Sequence, residues 1–75
     1  MKIIFSDHAK SQRIERKIPK QYVLETIKTP ENKLTSFKNR QLLQRQFGDR
    51  ILEVVIIQEK DVLTVITEYW LEEES

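Results

Sequence analysis

The sequence predicts an α+β domain: two N-terminal helices packed on an antiparallel sheet of about four strands. Three observations predict it. Apolar residues recur at helical spacing up to Pro30 and at period two from Asn32 onward. Pro19 and Pro30 mark the two places where a helix must start or stop. Short polar connections, one built on the sole glycine, Gly48, join the later strands, and short connections imply antiparallel pairing. Helices gathered on one side of such a sheet give a two-layer α+β arrangement. At 75 residues the chain forms one domain with a small core.

Residues 2–5 form a short extended segment. Ser6 is a good helix N-cap, and Asp7 sits in the first turn, where the helix dipole favours an anion. A first helix follows from Asp7 to about Lys17. Only Ala9 and Ile14 are apolar before Ile18, so it is polar nearly all round. Such a helix is either weakly packed or carries a job on its face. A second helix runs from Pro19 to about Lys28, with Val23, Leu24 and Ile27 as its core stripe, and Thr29-Pro30 stops it. Leu34 and Phe37 suggest a first, weak strand, and Lys38-Asn39-Arg40 a turn. Residues 41–47 form a second strand, ended by Gly48-Asp49. Residues 51–57 are apolar on both faces, as in a central strand. Gln58 to Asp61 is a tight connection, residues 62–71 form the last long strand, and the tail Glu72-Glu73-Glu74-Ser75 is expected to fray.

Composition excludes several function classes. With no cysteine there is no disulfide, no thiolate metal site and no thiol nucleophile; with one histidine, His8, a zinc site lacks ligands. No metal or cofactor is expected. No apolar run approaches the ~20 residues that span a bilayer, and Met1 to Phe5 is too short for a signal peptide, so a cytoplasmic protein with no membrane partner is expected. The net charge of +1 hides an asymmetry: residues 1–50 carry 12 Lys and Arg against 5 Asp and Glu, and residues 51–75 carry 1 against 7. The basic part suits a polyanion, or the two parts neutralise each other in the fold. Long apolar final strands with an unpaired edge also leave a homodimer open.

A few residues stand out for chemistry. His8, in the first turn of the first helix, is the one candidate imidazole base, with a capping or packing role as the alternative. His8, Gln12 and Arg16 are spaced i, i+4, i+8 and share a helix face. RNA cleavage by 2′-hydroxyl attack uses a base to take the proton and arginine to carry phosphate charge. Arg45 alternates with Leu43 and Phe47, so it points to their side. It is either structurally paired, with Glu53 as partner, or a phosphate clamp. Tyr69 and Trp70 end the last strand on opposite faces; one can stack on a base or move a proton, the other packs. Lys10, Arg13, Lys17, Lys20, Lys38 and Arg40 are candidate phosphate contacts.

Ser6-Asp7-His8-Ala9, Arg13 and Arg16, the pair Thr29-Pro30, then Arg45-Gln46-Phe47-Gly48 and Thr67-Glu68-Tyr69-Trp70 occur in an order that resembles the domain-of-unknown-function family 4258. Ile18-Pro19 departs from it, since the family more often has Gly-Ile-Ser there. The family is similar to the RelE/ParE-like toxins and other small RNases of the RelE/barnase-like fold. The resemblance implies a toxin of a type II toxin–antitoxin pair that acts as a metal-independent endoribonuclease. It implies RNA, ribosome-bound or free, as substrate and a cognate antitoxin protein as partner. His8, Arg16, Arg45 and Tyr69 match the polar signature and are the expected catalytic residues. The other reading is a non-catalytic binding or inhibitor module, such as a ParE-like protein inhibitor or a nucleic-acid-binding domain.

Overall fold

The computed structural model describes residues 1–36 and 38–71. The expected strand residue Phe37 and the acidic tail lie outside the described residues. Strand β1 (Lys2–Phe5) leads into helix α1 (Asp7–Glu15) and helix α2 (Lys20–Lys28). Strands β2 (Asn32–Thr35), β3 (Arg40–Phe47), β4 (Arg50–Glu59) and β5 (Val62–Leu71) follow.

The sheet corrects the expectation of about four antiparallel strands. It has five, ordered β1-β5-β4-β3-β2, and it is mixed, because β1 runs parallel to β5. The four later strands form the expected antiparallel meander. The extended residues 2–5 are this fifth strand, anchored by Lys2 N–H to Asp61 O at 2.9 Å and Ser6 N–H to Val65 O at 3.0 Å. A parallel partner some 60 residues away leaves no local turn signal.

Helix α1 is two residues shorter than expected. Arg16 is its C-cap, and Lys17 turns left-handed at φ 54°. Ile18 N–H then reaches Arg13 O at 2.9 Å, and Lys17 N–H reaches Ile14 O at 3.2 Å. That pair of bonds is a Schellman motif, whose left-handed position usually belongs to glycine. At the other end the Ser6 hydroxyl accepts the Ala9 N–H at 3.0 Å. Helix α2 starts at Lys20, with Pro19 as N-cap and Thr29 as C-cap.

Both helices cover one face of the sheet. There Ala9, Ile18, Val23, Leu43, Leu52, Val54, Ile56, Leu63 and Val65 form the core. On β4 every residue from Leu52 to Ile56 is buried, as expected of a central strand. Glu53 and Val55 point to the opposite face, with Gln44, Leu42, Thr67 and Tyr69 as their cross-strand neighbours. Among the described residues no helix is long and apolar enough to cross a membrane.

One irregularity governs the site. Val55 pairs with Thr67 but Ile56 pairs with Val65, so Ile66 is an extra residue in β5. This β-bulge reverses the alternation. Leu63 and Val65 face the helices, and beyond the bulge Glu68 and Trp70 do so, opposite Val54 and Leu52. The Ser6 hydroxyl donates to Ile66 O at 3.2 Å, so the residue that caps α1 also clamps the bulge.

Candidate nucleic-acid interface

Helix α1 meets β5 through an unusual stripe. Ala9 is its one buried residue, and one turn later comes the half-buried Arg13. Beneath them lies Glu68, with no solvent exposure. Both Glu68 carboxylate oxygens and the Arg13 Nε are buried without a hydrogen-bond partner among the described residues. Burial pushes the Glu68 carboxyl above the ordinary carboxylate value. Its backbone hydrogen bond and the positive charges of Arg13 and Arg16 oppose that shift. The helix buries only Ala9 among its apolar side chains, and beside it stand the polar groups of Arg13 and Glu68.

Beyond Phe5, β1 no longer lines β5, and the backbone of β5 faces the end of α1. Arg16 fills that place: its guanidinium donates to Glu68 O at 2.9 Å and lies 5.9 Å from the Tyr69 ring centroid. At the start of β4, Arg50 lies over the Trp70 ring, 4.3 Å from its centroid. Arg16, Arg50, Tyr69 and Trp70 line an open groove of about 440 Å³. Two guanidiniums, a phenol and an indole therefore converge where β4 begins and β5 ends.

Tyr69 and Trp70 are on opposite faces, as expected, and each is held differently. The Tyr69 hydroxyl donates to Glu53 Oε2, and Gln44 Nε2 donates to Glu53 Oε1 at 2.7 Å. Burial, then the hydrogen bond to Glu53 and the Glu53 charge, pushes the Tyr69 phenol up to about 12, with Arg16 pulling the other way. The phenol therefore keeps its proton throughout the neutral range. Trp70 stands edge-on to Tyr22 and Phe47, at 6.2 and 6.3 Å, and those two rings stack at 4.2 Å.

The expected catalytic residues divide. Arg16 and Tyr69 come together in the groove. His8 is exposed in the first turn of α1 and is not among the groove residues. Arg45 does point to the side of Leu43 and Phe47, but its partner is not Glu53, which faces the other side of the sheet. Its guanidinium instead donates to Thr29 O at 2.8 Å and to the Thr29 hydroxyl at 2.9 Å, closing the C-terminal end of α2. It also lies 5.6 Å from the Phe47 ring centroid.

Of the candidate phosphate contacts, Lys10, Arg13 and Lys20 line one pocket together with Phe5 and Ile14. Lys17 is exposed at the end of α1, and Lys38 and Arg40 lie at the end of β3 remote from Phe47. Arg50 was missed in the sequence; Glu53 was named there only as a candidate partner of Arg45, and Glu68 only as part of the closing Thr67-Glu68-Tyr69-Trp70 motif. The signal for Arg50 was its place just after the Gly48-Asp49 turn, opposite Phe47 across the hairpin.

The family model described as Domain of unknown function (DUF4258) matches residues 5–70. The chain belongs to the DUF4258 family. The matched span holds every groove residue and runs from the β1 residue under α1 to the indole of β5, so the DUF4258 region and the folded core coincide. In this DUF4258 member Lys17 holds the left-handed helix end. No curated protein and no solved structure matches the chain.

Proposed function

We propose that this chain acts on single-stranded RNA as a metal-independent endoribonuclease, the toxin of a toxin–antitoxin pair whose antitoxin is a separate protein. The observation that carries this reading is the groove of Arg16, Arg50, Tyr69 and Trp70. A phosphodiester fits between two guanidiniums, which bind it as paired charge-assisted donors. Trp70 offers its face to an unpaired base when Arg50, which lies over the ring, turns from it to the phosphate, and aromatic stacking tolerates any base.

The chemistry needs only these groups. The ribose 2′-oxygen attacks phosphorus and its proton passes to water. The bond from phosphorus to the 5′-oxygen breaks, and the products are a 2′,3′-cyclic phosphate and a 5′-hydroxyl. Arg16 and Arg50 hold the charge that grows on the phosphoryl oxygens. Tyr69, still protonated at neutral pH, turns from its hydrogen bond to Glu53 and gives its proton to the departing 5′-oxygen. Among the described residues no three His, Cys, Asp or Glu side chains converge on one point, so the reading routes no step through a metal.

The binding or inhibitor reading draws on one observation: His8, the candidate base, is outside the groove. The test is purified protein with total and ribosome-bound RNA in chelator, beside Tyr69→Phe and His8→Ala. Cleavage slowed about 10²-fold or more in Tyr69→Phe alone supports the groove mechanism. Loss in His8→Ala alone moves the chemistry to the start of α1. RNA bound but uncut by the unmodified protein leaves the binding reading.

A further inference from the structure

A cavity separate from the groove lies in the helical layer. Phe5 from β1, Lys10, Arg13 and Ile14 from α1, and Lys20 from α2 line a pocket of about 230 Å³. Three of its five lining residues are cations and none is an acid. Among the described residues Lys10 makes no ion pair. Arg13 spends one guanidinium nitrogen on Ile18 O at 3.1 Å, and the Lys20 Nζ lies 5.8 Å from the Phe5 ring centroid. Arg13 shares its charge with the buried Glu68, but no acid lines the pocket itself, so Lys10 and Lys20 raise its potential and select an anion. Helix α2 begins at the pocket wall, at Lys20, and its N-cap Pro19 provides no side-chain hydrogen bond. The positive end of the α2 dipole therefore adds to the three side-chain charges.

Size and lining narrow the ligand. The volume falls below the range that holds a drug-sized molecule, roughly 300 Å³ upward, so a small group is admitted. Phe5 and the exposed Ile14 give the pocket an apolar wall beside its charges, suited to a phosphate that carries a sugar. Arg13 lines this pocket and Arg16 lines the groove, three residues apart on one helix, about 4.5 Å along its axis. We infer that the Lys10–Arg13–Lys20 pocket is a second phosphate site, which holds a neighbouring phosphate of the RNA strand whose scissile group lies in the groove.

This inference rests on the RNA reading, and the experiment separates the two. A single-stranded 2′-O-methyl RNA oligonucleotide, which cannot be cut by 2′-oxygen attack, is titrated with the protein over a series of salt concentrations. The double variant Lys10→Ala/Lys20→Ala removes two exposed lysines. The control, Lys28→Ala/Lys33→Ala, removes the same charge from exposed positions outside the pocket. The pocket variant is expected to lose about tenfold in affinity and to flatten the salt slope by about 0.7 for the phosphate released. The control loses less and keeps its slope. Equal losses in the two variants, or none in the pocket variant, overturn the second site while the RNA reading stands. If the unmodified protein does not bind the oligonucleotide, the RNA reading fails. Titration with inorganic phosphate, followed at the amides of Phe5 and Ile14, then decides the pocket: shifts there keep it as an anion site, and their absence removes it.

Discussion

Helix α2 lies over β3 and β4 through Val23, Tyr22 and Ile27, against Leu43, Leu52 and Phe47. Helix α1 lies over β5 through Ala9 and Arg13, above the buried carboxylate of Glu68. The first joint is a mass of apolar and aromatic contacts, each removing surface from water. The second is short of apolar contact and leaves three buried polar atoms unpaired. Buried polar atoms left without partners contribute no net stability, because nothing offsets their desolvation. What this joint does provide is two arginines fixed on one helix, one reaching the groove and one the pocket. Stability is concentrated under α2, and the exposed charge-bearing chemistry under α1.

That contrast is open to direct attack. Leu52 is fully buried beneath the helical layer, so Leu52→Ala is expected to lower stability by about 3 kcal/mol in chemical denaturation. A loss below 1 kcal/mol would mean that the apolar joint is not where stability resides. Ser6 serves the α1 side twice, as helix cap and as clamp on the bulge. Ser6→Ala is expected to lower stability by about 1 kcal/mol. It should also raise amide exchange at Ile66 and Glu68 more than at Val23. Uniform exchange changes would detach Ser6 from the bulge.

A smaller gain should come from the end of α1. Lys17 holds a left-handed backbone, which costs a non-glycine residue about 1 kcal/mol. Lys17→Gly should therefore raise the thermal midpoint, and a lowered midpoint would contradict the Schellman geometry. The subtlest effect is one of slope. Because the folded-state pKa of Glu68 is raised, folding favours its protonated form. The stability this contributes is complete below the ordinary value of 4.5 and is lost as pH rises through the raised value. Stability of the unmodified protein should thus decline relative to Glu68→Gln as pH rises from 4.5. Parallel pH curves would show that the carboxyl is not desolvated in the fold.

Much of this was legible in the residues themselves. Val23 and Ile27 announce a helix with one apolar stripe, and the apolar run from Ile51 to Ile57 announces a central strand. The polarity of α1 announces a helix with another task. Three features were not legible, each for a physical reason. The β1–β5 pairing is parallel and closes between the two ends of the chain, so no turn residue signals it. The bulge leaves only two adjacent apolar residues, Val65 and Ile66, as its trace, yet it decides that Glu68 lies under α1. The groove depends on Arg16, Arg50 and Tyr69, and spacing within one helix or strand cannot report a meeting among three elements. Arg45 shows the converse: its inward register was legible, but not that the end of α2 would take its guanidinium.

The two arginines Arg16 and Arg45 therefore test the account most directly, since one belongs to each joint. Single-stranded RNA binding and cleavage would be measured for Arg16→Ala and Arg45→Ala side by side, each with its denaturation curve. The account predicts that Arg16→Ala loses binding and slows cleavage about 10²-fold or more with little change in stability. It predicts that Arg45→Ala unfolds more easily and, while folded, still binds and cuts RNA. The reverse pattern, with Arg45 needed for RNA and Arg16 needed only for the fold, would contradict it.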